Sequence, residues 1–153
     1  MTGKADFNAE EWSVVVGAPL LAAMKVIAAD RGGSVRETMA VAKAYAAARE
    51  THDGELMRAL LATAPAPDAS QRRAGKDLAQ EAPAALREAI AILERVADGD
   101  EVVEYKRFVY SLAETAAGAH REGGLLRRGE PVSEAEQAAL DEIAAIFDEQ
   151  PGA

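Results

Sequence analysis

Residues 101–122 read EVVEYKRFVYSLAETAAGAHRE. Within them Val102, Tyr105, Val109, Leu112, Ala116 and Ala119 recur at spacings of 3, 4, 3, 4 and 3. That is the period of one helix face, and a seam sustained over about five turns needs other helices to cover it. Nothing elsewhere competes with this signal. Val14-Val15-Val16 is the one clear run of β-branched residues, whereas alanine, the best helix former, fills 36 of the 153 positions. The reading is all-α: a compact bundle of about five helices forming a single domain over residues 1–153.

Working outward, Asn8 followed by Glu11, Ser34 followed by Glu37, and Ser133 followed by Glu136 each have the spacing of a capping box. They open a first helix over about residues 8–30, a second over about 34–49 carrying Met39, Ala42 and Tyr45, and a last one with the stripe Leu140, Ile143, Ala144 and Phe147. Gly32-Gly33 ends the first helix. Pro19 within it predicts a kink, or a split after Ala18. His52-Asp53-Gly54 marks an irregularity, and residues 55–62 a short helix. Residues 63–82, with Ala64-Pro65-Ala66-Pro67-Asp68, read as a linker and mobile surface segment. A third long helix is expected to open at Pro83, with Leu86, Ile90, Leu93 and Ala97 on one face. Asp98-Gly99-Asp100 then breaks the chain before the decisive seam, and Gly123-Gly124 ends that seam.

The stretch from position 12 to 29 is the most apolar, and its length invites a membrane assignment. Gly17, Pro19 and Lys25 interrupt it, and much of its bulk is alanine. Asp6, Glu10 and Glu11 stand where a signal peptide needs positive charge. The expectation is a largely buried central helix, or one that pairs with a second subunit, in a cytoplasmic protein with no membrane partner. A formal net charge of −9 argues against nucleic acid. With no cysteine, disulfides, thiolate zinc sites and thiol catalysis are excluded.

Several segments of the C-terminal third resemble a family of small bacterial all-α proteins. They are Tyr105-Lys106-Arg107-Phe108, Ala113-Glu114-Thr115-Ala116-Ala117, the turn Glu122-Gly123-Gly124-Leu125, and the helix start Val132-Ser133-Glu134-Ala135-Glu136. The shared pattern is an E-G-G turn followed by V-S-x-x-E, over roughly residues 101–147, with a looser likeness at Phe7-Asn8-Ala9-Glu10-Glu11-Trp12. The resemblance implies a helical fold and no catalytic residues. Where the family's loop is apolar and glycine-rich, this chain carries Arg127 and Arg128.

Few residues suit chemistry. Glu114 and His120 are six apart, about 240° around a helix, so they diverge and do not form a Glu-x-x-His metal pair. His52 sits among Glu50, Asp53 and Glu55, and Ser111 has no neighbouring base in sequence. The acids of Asp98-Gly99-Asp100-Glu101 and Glu104 do not have calcium-loop spacing and suit a helix N-terminus. No metal and no cofactor is expected. Residues 130–149 hold seven acids and no Lys or Arg, whereas 105–128 hold five Lys or Arg and two acids. The two stretches are expected to lie antiparallel and complement each other. The sharper alternative is an anion or partner contact at Arg121, Gly123, Gly124, Arg127 and Arg128. The leading functional expectation is a non-enzymatic interaction module. It is a homodimer through the helices starting at Asn8 and Ser34, with Trp12, Val15 and Val16 at the contact, and with an unknown protein partner. Its rivals are a protein binding a small ligand or divalent cation, and an enzyme with dispersed catalytic residues.

Overall fold

The structure, a computed structural model, describes residues 1–29, 35–64, 75–118 and 133–149. After a short 3₁₀ turn at Lys4–Asp6 come α1 (Ala9–Ala29), α2 (Val35–Thr51), α3 (Glu55–Thr63), α4 (Gly75–Val96), α5 (Gly99–Gly118) and α6 (Glu134–Phe147). No strand occurs among the described residues. The described residues thus form six α-helices where about five were expected. α1 is the axis of the bundle. α4, α5 and α6 pack along it, α2 lies mainly on α5, and α3 closes one end.

The seam of α5 is buried as its spacing requires, from Val102 through Tyr105, Val109 and Leu112 to Ala116. At the start of α1 the box is closed in both directions. Glu11 N–H donates to Asn8 Oδ1 at 2.8 Å, and Asn8 N–H donates to Glu11 Oε2 at 3.0 Å. The outer oxygen of Glu11 also takes Arg95 of α4 at 2.6 Å, and these two donors hold its carboxyl below the ordinary range. At α6, Glu136 N–H donates to Ser133 Oγ at 3.2 Å. The Ser34 cap lies outside the described residues.

Pro83 differs from expectation, and Pro19 does not split its helix. α4 does not open at Pro83 but begins at Gly75 and runs through it. Leu78 and Ala82, placed by sequence in a surface segment, are buried and extend the stripe of Leu86, Ile90 and Leu93 by two turns. That burial offsets the missing proline hydrogen bond. The carbonyl deprived of its partner belongs to Ala79, an exposed residue that solvent can reach. Of the expected linker, residues 65–74 lie outside the described residues. α1 likewise runs unbroken through Pro19. Here the deprived carbonyl is that of Val15, in the core, and Tyr105 of α5 donates its hydroxyl to it at 2.8 Å.

On α2 the buried face is set by the spacing of 4 and 3. Val41, Tyr45 and Ala48 point inward, whereas Met39 is exposed. Among the described carboxylates of the C-terminal stretch, Glu142 pairs with Lys25 of α1, and Glu149 pairs with Arg87 of α4 at 3.1 Å. On α5, Lys106 bonds the Phe147 carbonyl at 3.3 Å and pairs with Glu94 at 3.8 Å.

Candidate functional site

Where α2 crosses α5 the contact is incomplete. Ala44, Ala47 and Ala48 occupy one face of α2 and offer no bulk beyond Cβ, so a cleft of about 400 Å³ stays open between the helices. Phe108 and Leu112 of α5 form its apolar floor, and Thr51, His52, Arg107 and Ser111 supply the polar groups. On α5, Arg107, Phe108 and Ser111 fall on one face, neighbouring the buried seam. The volume is within the range of small-ligand sites.

His52 stands at one end of the cleft. Its Nδ1 lies 2.7 Å from Glu104 Oε1, and its ring meets Phe108 edge-on with centroids 5.9 Å apart. The pairing fixes the imidazole plane and directs the Nδ1 side toward the carboxylate. The Glu104 carboxylate also lies against the turn between α2 and α3, its Oε2 3.0 Å from the Cβ position of Gly54. Both carboxylate oxygens of Glu104 are therefore turned toward the α2–α3 junction. Arg107, exposed at the rim, forms no ion pair among the described residues. Ser111 and His52 share the cleft, but no hydrogen bond joins them.

Behind the floor, Tyr45 packs edge-on against Phe108 with centroids 5.5 Å apart. Burial pushes its phenol well above the ordinary value, and the hydroxyl finds no hydrogen-bond partner among the described residues. It is a neutral structural group at any physiological pH.

The dimer-contact residues are found elsewhere. Trp12, Val15 and Val16 are only 5%, 0% and 5% exposed, inside the chain's own core, with Trp12 against Phe7 at 5.3 Å between centroids. Five other helices pack against α1, and these three side chains offer no surface to a second copy. Arg121, Gly123, Gly124, Arg127, Arg128 and His120 lie outside the described residues. The acidic turn is engaged within the fold. Glu101 accepts the Asp98 N–H at 3.0 Å and both the N–H and hydroxyl of Thr2. Burial raises its carboxyl, but these donors outweigh that and hold it below the ordinary range. Among the described residues no group of three or more His, Asp or Glu is placed to hold a metal ion.

Sequence reasoning did not find the cleft. His52 and Glu104 are 52 positions apart, and Ser111 acquires an imidazole neighbour only through the packing of α2 on α5. The available signal was a second face on α5, Glu104-Phe108-Ser111 at spacings of 4 and 3, beside the buried seam. No family model, curated protein or solved structure matches the chain.

Proposed function

We propose that this chain is a non-enzymatic helical protein that binds a small ligand in the cleft between α2 and α5. One observation carries the reading. A concavity of about 400 Å³ with an apolar floor gathers an oriented histidine, an arginine without a carboxylate partner among the described residues, and two hydroxyl groups. Convergent polar groups around an apolar floor are what a binding site requires.

Ala47 is exposed at the mouth, so Ala47→Leu fills the cleft without touching the core and keeps a good helix former in place. In a thermal-shift screen of small metabolites, at least one compound is expected to raise the melting temperature of the native chain by a few degrees, but not that of Ala47→Leu. If no compound stabilises the native chain, or if the shifts survive the filling, the cleft is not a binding site.

Val35 and Met39 favour a second reading, an interaction module that pairs with a second copy of itself. They are 59% and 54% exposed, one turn apart on α2. With Trp12, Val15 and Val16 committed to the core, this reading rests on α2. Light scattering at micromolar concentration is expected on that reading to give twice the chain mass, and the single-chain mass for Met39→Lys. A single-chain mass for the native protein removes it.

A further inference from the structure

We infer that the ligand of the α2–α5 cleft is a small organic anion. Its carboxylate or phosphate oxygens face Arg107, and its apolar part rests on Phe108. The inference rests on the binding reading above and adds the ligand's chemistry to it.

Charge is the first ground. The chain has 26 acidic and 17 basic residues, yet none of the residues lining the cleft is acidic, and two of them are Arg107 and His52. A site for a cation or an amine would need a carboxylate at the wall. Along α5, Glu114 and Glu104 flank the lining residues without lining the cleft, and Glu104 has one oxygen on His52 and the other against the Gly54 turn. The guanidinium one turn further along α5 keeps its forked donors free for an oxyanion. Ser111, one turn beyond, adds a hydroxyl on the same face.

Shape is the second ground. The alanines of α2 leave room for a body about the size of one ring or a short chain, and the floor beneath it is Phe108. A ligand bearing one oxyanion on such a body uses the charged rim and the apolar floor together. An inorganic ion would leave the floor empty, and a neutral apolar compound would leave the guanidinium unused.

The test is an amide-resolved NMR titration of the full chain with four probes that share one ring: benzoate, phenyl phosphate, benzyl alcohol and benzamidine. Benzoate or phenyl phosphate is expected to shift the amides of residues 44–52 and 107–112 saturably, and the tighter of the two identifies the head group. Arg107→Gln, at an exposed position outside the core, is expected to weaken that binding about tenfold or more. Benzyl alcohol and benzamidine are expected to bind more weakly by a similar factor. Equal binding of either of these two overturns the anion inference, as does anion binding that survives Arg107→Gln. If Ala47→Leu abolishes binding in those cases, the cleft reading stands while its ligand chemistry is wrong. If none of the four binds, the anion inference falls, and the metabolite screen judges the cleft separately.

Discussion

Tyr105→Phe is expected to cost about 1–3 kcal/mol of folding stability, and Pro19→Ala to remove most of that cost. In α1 the carbonyl of Val15 has residue 19 as its helical donor, and residue 19 is proline, with no N–H to give. The proline ring also crowds the carbonyl four residues back. Val15 is fully buried, so water cannot replace the missing donor. The Tyr105 hydroxyl, brought in from α5 at 2.8 Å, satisfies the carbonyl instead. Burial also pushes this phenol well above its ordinary value, so it stays a donor across the accessible pH range. Removing the hydroxyl leaves a desolvated acceptor with nothing to bind, the expensive way to lose a hydrogen bond. In a Pro19→Ala background, residue 19 supplies the N–H, and Tyr105→Phe is expected to cost about 1 kcal/mol or less. Urea denaturation of the four proteins of this cycle measures the coupling. Equal costs in both backgrounds would show that the two residues are independent. Tyr105→Ala, which removes the ring as well, is expected to cost about 3–5 kcal/mol.

The same pair shows what the sequence could and could not disclose. Tyr105 was legible as a member of the α5 seam, because side-chain periodicity reports which face turns inward. Pro19 was legible as a helix breaker. That one answers the other was not, because a hydrogen bond between positions 15 and 105 leaves no trace in local spacing. Pro83 is the matching case. Its deprived carbonyl falls on an exposed residue, and the buried Leu78 and Ala82 carry the helix past it. Local rules assign the cost of an interior proline, and tertiary contacts decide whether the helix continues.

The candidate site was less legible than the fold for a related reason. Caps and stripes are local, and Asn8–Glu11, Ser133 and the Leu86-Ile90-Leu93 stripe were read from spacing alone. The cleft exists because three alanines of α2 face a phenylalanine of α5 and fail to fill the space. An alanine that opens a cleft and an alanine that lets two helices touch are identical in sequence. Apolar excess on α1 was similarly ambiguous between a central helix and a dimer face, and the surrounding helices account for it within one chain.

Ala22→Leu is expected to destabilise the fold by about 1–3 kcal/mol, whereas Ala28→Leu on the same helix is expected to stay within about 0.5 kcal/mol of the native chain. Ala18, Ala22 and Ala23 of α1 are completely buried, and so are Ala82 and Ala89 of α4, the helix α1 packs against most extensively. Small side chains on both helices allow close approach of their axes, and the interior is filled to the density of a crystal. Leucine at position 22 adds three carbon atoms where none fit, so neighbours must leave their rotamers or the helices must separate. At position 28 the same atoms reach water, because Ala28 is exposed. Both substitutions exchange one strong helix former for another, so propensity cancels and packing is isolated. For a chain of this size each kcal/mol shifts the melting temperature by about 2–4 °C, which calorimetry resolves. Equal shifts for the two variants would mean that α1 is not clasped on that side. The surrounded-helix account of its apolar excess would then give way to the self-association that its composition first suggested.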